Sequence, residues 1–252
     1  VNKAAYLELN NSAGSFNTWK NTIKAGTGLQ RHFTADFRLS QISSDGYIDR
    51  ASSDLKSIYG SVAYIGEKNS LRLNVFSGKE KTYQSWYGVS EADLAAGKRR
   101  MNSAGTEKPG DPYENETDNY TQTHYQLFFN QQIKPSLHFN TAIFLTTGKG
   151  YYEQYKAGRD FAEFGLPYPV NGNDTTFEAD FVRQLWLDND FYGNTFSLQY
   201  NGPKTEATLG GAYTRYTGHH FGKIIWSSAV NISPRKWYDL IAEKNDFNIF
   251  YK

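Results

Sequence analysis

Along most of this chain hydrophobic side chains recur at every second position, and helical spacing is almost absent. In Phe33–Ser40, Phe33, Ala35, Phe37 and Leu39 share one face, and Thr34, Asp36, Arg38 and Ser40 share the other. The same rhythm sets Leu71, Leu73 and Val75 against Arg72 and Asn74, and Tyr125, Leu127 and Phe129 against His124, Gln126 and Asn130. It returns with Leu137, Phe139, Ile143 and Leu145 against His138 and Asn140. It appears again with Phe196, Leu198 and Tyr200 against Ser197 and Gln199, and with Ala207, Leu209 and Tyr213 against Glu206 and Thr208. Runs of roughly 9–13 residues suit strands tilted across a bilayer. The spacing predicts about ten strands.

The connections alternate in length. Short polar turns are predicted at 30–32, 66–69, 134–136 and 201–204, and long segments at 42–53, 79–118, 149–190 and 218–244. A compact soluble domain seldom carries several long structureless loops, and outer-membrane barrels carry them on one side only. Alternation alone fits a soluble sandwich with a dry core equally well. The one-sided loops, and aromatics near strand ends (Tyr59, Tyr64, Phe76, Tyr83, Trp86, Tyr120, Tyr192 and Tyr216), favour a barrel with an interfacial belt.

Composition narrows the classes. Lys plus Arg (27) nearly balance Asp plus Glu (26), so neither a polybasic nucleic-acid arm nor an acidic tail is present. Cysteine is absent, which excludes disulfides and thiolate chemistry. Only 38% of residues are hydrophobic, yet the chain holds 19 Tyr, 17 Phe and 5 Trp, too many aromatics for a disordered segment. The sequence opens Val1-Asn2-Lys3, its one methionine is Met101, and its last residues have strand character. The expectation is therefore a piece of a longer protein.

Specific stretches carry a resemblance: Gln41–Lys56, Leu73–Gly88, Thr147–Lys156, Trp186–Gly193, Gly210–Tyr216 and His220–Gly222. Together they resemble TonB-dependent outer-membrane receptors of Gram-negative cells, over nearly the whole length. The resemblance implies an all-β fold, an antiparallel transmembrane β-barrel of about 22 strands closed by an N-terminal plug. It implies energised uptake of a scarce nutrient: a ferric siderophore, haem, cobalamin or a glycan. About ten strands cannot close such a barrel, so residues 1–252 would be its middle section. Plug, TonB-contacting box and remaining strands would lie outside the chain. The implied partners are outer-membrane lipid and lipopolysaccharide, the plug, the TonB complex and the nutrient ligand, with no nucleic acid. Two alternatives stay open: a complete small barrel acting as pore or enzyme, and a soluble all-β carbohydrate-binding module.

The site candidates come from the upper segments. Tyr151, Tyr152, Tyr155 and Trp226 are loop aromatics able to stack on sugars, catecholates or a porphyrin. The vicinal His219-His220 pair has metal-binding chemistry but lacks a third ligand at fixed spacing, so no metal site and no cofactor are expected. Asp188-Asn189-Asp190 begins like a calcium loop, but Tyr192 and Gln199 occupy later ligand positions. Asp45, Asp49, Asp54 and Glu80 read better as solvated loop acids around an Asp45-Gly46 turn. Lys98-Arg99-Arg100 is the one basic run. Between Gly88 and Glu116, however, six acids outnumber four basic residues. No nucleophile elbow, zinc helix or phosphate loop is present, and no catalytic residue is assigned. Polar strand residues Asp36, Arg38, Arg72 and Gln126 are expected to face the plug.

Overall fold

A computed structural model describes residues 3–252; Val1 and Asn2 of the opening lie outside the described residues. Ten strands form one antiparallel meander: β1 (Tyr6–Gly14), β2 (Thr18–Gly26), β3 (Phe33–Ser44), β4 (Ser53–Ile65), β5 (Asn69–Tyr83), β6 (Thr117–Lys134), β7 (Leu137–Asp160), β10 (Glu178–Asn201), β11 (Glu206–Ser227) and β12 (Arg235–Tyr251). Two two-residue strands, β8 (Val170–Asn171) and β9 (Asp174–Thr175), pair with each other in the β7–β10 loop. Among the described residues helix is confined to α1 (Glu91–Ala95), capped by Ser90, and a 3-10 turn at Phe161–Phe164. Sequence neighbours pair throughout, and β1 and β12 stand at the two ends of the sheet.

The turns form for local reasons. Gly66 donates its N–H to the Asn69 carbonyl, and Gly202 to that of Thr205, each at 2.8 Å. Gly46 adopts φ +79°, where a side chain would meet the Ala51 carbonyl oxygen at 2.3 Å. Only glycine fits the Asp45-Gly46 turn.

Register aligns the faces. Phe33, Tyr64, Leu71 and Phe129 are successive cross-strand partners, and so are Leu9, Ile23, Leu39 and Ile58. This apolar face is open: Phe33 is 60%, Phe37 41%, Leu71 43% and Leu127 38% exposed. A sandwich would have sealed these four in a dry interior, so the carbohydrate-module alternative loses its core. The opposite face carries Asp36, Arg38, Arg72, Gln126, His124 and His138, as the alternation predicts.

Two expectations need correction. Residues 149–190 and 218–244 are mostly strand, not loop. β7 and β10 reach 24 residues each and β11 reaches 22, which leaves loops of only 161–177 and 228–234. The sequence conceals this because both faces turn polar above Leu145 and Tyr192: Lys149, Glu153, Gln184 and Asp188 share the face that is apolar lower down. Backbone pairing continues where hydrophobic alternation stops. The aromatic belt also differs from expectation. Tyr59, Phe76, Tyr120 and Tyr216 lie on the polar face, and Tyr83 is buried beneath a loop. The exposed aromatics of the apolar face include Phe33, Tyr64, Tyr200 and Tyr251 toward the short turns, Trp19, Tyr125, Tyr192 and Tyr213 nearer the long loops, and Phe37 and Phe247 between.

Dry packing is concentrated at the long-loop end. Phe161, Phe164 and Leu166 fold over the polar face onto Phe181 and Ile224, both fully buried, with Trp237, Val230 and Ile232 around them. Phe181 sits edge-on to Phe161 and Phe164, at 5.0 and 4.9 Å between ring centroids.

Candidate functional site: an aromatic cleft beneath the long loops

On the polar face, just below the loops, a cleft of about 340 Å³ opens among Glu80, Asp118, Tyr120, Tyr152, Leu187 and His220, with Tyr238 at its side. The register builds it. Glu80, Tyr120, Gly150, Leu187 and His220 form one row across β5, β6, β7, β10 and β11; Asp118, Tyr152 and Leu185 form the next. Gly150 makes room for a large neighbour, because a side chain there would meet the Tyr120 ring at 2.6 Å. The Tyr120 hydroxyl donates to Asn189 Oδ1 at 2.9 Å and holds the ring across the wall.

The β5–β6 loop supplies the cleft's upper edge. Trp86 packs edge-on to Tyr152 at 5.4 Å, and Trp86 and Tyr87 are each 56% exposed. Arg183 donates through Nε and Nη2 to Gln154 Oε1 at 3.2 and 2.8 Å, which fixes one guanidinium beside the aromatics. The arrangement offers flat apolar faces, two carboxylates, an imidazole and one guanidinium to a large ligand. No third metal-ligating side chain joins any His, Asp or Glu pair among the described residues.

The loop edge is anchored rather than free. Gln84, fully buried, donates to the Glu153 carbonyl at 2.9 Å, and Asn102 Nδ2 donates to the carbonyls of Gln84 and Asp49 at 2.9 and 3.0 Å. Arg50 donates to the Asn102 carbonyl, and to that of Ala104 at 3.0 Å. On the other side of the wall the buried Glu153 carboxylate accepts from Tyr113 Oη and Asn115 Nδ2 at 2.6 Å and from Gln184 Nε2 at 2.7 Å. Residues 84–116 thus straddle the rim and grip both of its faces. Burial, then the hydrogen bond to Glu153, pushes the Tyr113 hydroxyl well above the usual phenol range. Burial likewise raises Glu116 above the usual carboxylate value.

The six candidate residues divide between the faces, because strand neighbours point oppositely. Tyr151, Tyr152 and His220 are all among the residues that line the cleft, with the Tyr152 and His220 side chains on its face of the sheet. Tyr151 lies on the apolar-face side against Trp186, 4.5 Å between centroids, and His219 pairs across the sheet with Asp188 on that same side. Tyr155 is buried, donates to Asp180 Oδ2 at 2.5 Å, and packs 6.1 Å from Trp226, which is 44% exposed. Tyr238 also lines the cleft, and Trp86, Tyr87 and Arg183 stand next to it, Trp86 against Tyr152 and the other two on Gln154. Sequence reading assigned Trp86 to a belt and passed over Arg183; their signal was the strand-plus-loop register, which no local motif carries. Arg100 of the basic run is committed to its neighbours: it pairs with Asp49 at 3.3 Å and lies over the Phe16 and Tyr47 rings.

No family model and no curated protein matches the sequence. Solved structures do. The chain superposes in full on 42% of the ferric-catecholate import receptor Fiu of E. coli K12, with TM-score 0.71 at 14% identity. It superposes over 99% of its length on 38% of BauA, the ferric preacinetobactin receptor of Acinetobacter baumannii, with TM-score 0.66 at 11% identity. The siderophore receptor PiuA of Acinetobacter baumannii gives TM-score 0.54 at 9% identity, over all of this chain and 47% of that one. The chain spans less than half the length of each. At these identities the likeness is one of fold: the meander matches part of the β-barrels of those proteins.

Proposed function

We propose that this chain is part of the wall and outer loops of a TonB-dependent receptor that takes up a ferric siderophore across the outer membrane of a Gram-negative cell. Three similar folds belong to a ferric-catecholate import receptor, a ferric preacinetobactin receptor and a siderophore receptor, which supports this class over haem, cobalamin or glycan. The observation that carries the reading is the two-faced open sheet: exposed hydrocarbon on one side, and on the other a polar wall ending in an aromatic cleft. In a barrel the first side meets acyl chains and the second encloses the lumen. The long-loop end is then extracellular and the short turns periplasmic. The apolar rows run about nine residues in β7 and β10, which spans a band of about 25 Å once the strands tilt.

In this reading Tyr152, Trp86, Tyr87 and Tyr238 stack on the ligand while Arg183 and His220 set its orientation. The role is binding, not catalysis. Asp36, Arg38, Arg72 and Gln126 face the plug, and force reaches it from the TonB complex through segments beyond this chain. The unpaired β1 and β12 favour a barrel section over a complete small barrel, whose first and last strands would pair.

The test is ligand binding by the full-length receptor in detergent, followed by quenching of intrinsic tryptophan fluorescence. Ferric tris-catecholate and ferric preacinetobactin are the probes. One of them should bind, and Tyr152→Ala and Trp86→Ala should each weaken it about tenfold, the scale of one lost stacking contact with its buried area. Absence of binding by both chelates, or unchanged affinity in both variants, would defeat the assignment.

A further inference from the structure

The aromatic cleft holds two carboxylates that the fold itself does not use. Glu80 and Asp118 stand on adjacent strands, one cross-strand pair apart on the polar face, and both line the cleft. Leu55 and Tyr120 flank Glu80 across the sheet, and Thr82 and Tyr152 flank Asp118, so no cross-strand partner of either is a cation. Both acids are half-buried, and neither forms an ion pair among the described residues. Burial, then the charge of Asp118, raises Glu80 above the usual carboxylate value, and burial raises Asp118 as well. Other acids near the rim are matched: Asp188 holds Lys149 at 2.6 Å, Glu107 holds Lys156 at 2.5 Å and Asp49 holds Arg100 at 3.3 Å.

The basic groups around the cleft leave this pair uncompensated. Arg183 is held on Gln154 through Nε and Nη2. His220 shares a row with Glu80, but three strands intervene. The pair therefore carries desolvation and mutual repulsion with no return inside the chain. Beside it the rings of Tyr120, Tyr152 and Tyr238 line the same cleft. A ring face attracts a cation, as a carboxylate does, and repels an anion. Two charges and three rings thus favour one kind of occupant.

We propose that Glu80 and Asp118 select the ligand by charge: the chelate that the cleft accepts presents an ammonium or similar cationic group between them, against the Tyr120 and Tyr152 rings, and polyanionic chelates are turned away. The inference rests on the uptake reading above and narrows its substrate class. A cation between the two carboxylates converts their repulsion into attraction. A like charge brought into the same half-dry cleft meets a penalty that water does not screen, so one pair of side chains both attracts and rejects.

The experiment uses the full-length receptor in detergent, with binding read from intrinsic tryptophan fluorescence. Four ferric chelates are titrated: tris-catecholate, preacinetobactin, a linear tris-hydroxamate ending in a primary ammonium, and that hydroxamate N-acetylated. Wild type should bind the ammonium form about tenfold more tightly than its acetylated twin, and the trianionic tris-catecholate more weakly than either. E80Q/D118N should erase the first difference and raise tris-catecholate affinity about tenfold, a gain that a misfolded variant could not give. E80Q alone should move both in the same direction, by about threefold. D54N, which neutralises an acid already paired with Lys56, should change neither. Equal wild-type affinity for the two hydroxamates, or tris-catecholate affinity unchanged in both E80Q and E80Q/D118N, would overturn the proposal. The two readings fail differently. Wild type that binds at least one chelate without charge preference sinks the carboxylate role alone; wild type that binds none of the four sinks the uptake reading with it.

Discussion

At the scale of single residues the rim is decided by a few polar groups in dry surroundings. Glu153 takes three side-chain hydrogen bonds on one buried carboxylate, so Glu153→Ala strands Tyr113, Asn115 and Gln184 together. The expected cost is roughly 2–4 kcal/mol in loop anchoring. Limited proteolysis of the folded receptor should then cut within residues 84–116, where wild type resists. The raised Tyr113 fixes the sign of an alkaline effect. A phenol whose folded value exceeds its unfolded one stabilises fully below pH of about 10 and loses that contribution as pH climbs beyond. Loop protection should therefore fade above pH of about 10, and Tyr113→Phe should remove the pH dependence. Glu116, also raised, works the same way at lower pH: its contribution is present in acid and lost toward neutrality. Glu116→Gln should firm the loop at pH 7 and do nothing at pH 4. None of this was legible in the sequence, since Gln84, Asn102 and Glu153 are ordinary polar letters until the strand register brings them together.

At the scale of elements the strands below the polar transition could be read directly. Phe33–Ser40, Ser70–Ser77 and Leu137–Leu145 alternate because one side of the sheet is a continuous hydrocarbon face and the other a polar one. Above it the same strands run on with polar residues on both sides, and alternation, the only single-sequence signal, vanishes while hydrogen bonding persists. The loop core was equally hidden. Phe161, Phe164 and Leu166 sit in a segment read as loop, yet they build a dry cluster on Phe181 and Ile224. Phe181→Ala should open a cavity costing about 3–5 kcal/mol locally and expose residues 161–177 to rapid hydrogen exchange, with little change in β2–β5. Protection spread evenly over the whole sheet would contradict a separate loop core.

At the scale of the whole molecule, the open faces and free edges dictate behaviour. With hydrocarbon exposed from Leu7 to Tyr251 and unpaired backbone along β1 and β12, the isolated chain should not form a stable soluble monomer. Sedimentation and thermal melting in detergent-free buffer check this; a monodisperse, cooperatively melting species would refute it. Spin labels at Phe37, Leu73 and Phe139 in the reconstituted receptor should report lipid, and water-like accessibility there would count against the barrel orientation. The number of strands, their order and the two faces were all legible, because each follows from period-two patterning and turn chemistry. Which aromatics meet in the cleft was not, because that depends on register between strands far apart in sequence, as with Trp86 and Tyr152.

The uneven overshoot of the strands has a consequence for traffic. β3 ends five residues past Leu39, while β7 runs thirteen past Thr147, which lies in the same cross-strand row, a difference of roughly 26 Å along the strand. Over this arc the mouth is a slanted parapet, with a low sill at β1–β4 and a tall backstop at β7–β12. A bulky solute drifting in from the low side would strike the backstop where Trp86, Tyr152 and Arg183 wait, so arrival is biased by direction before any recognition begins.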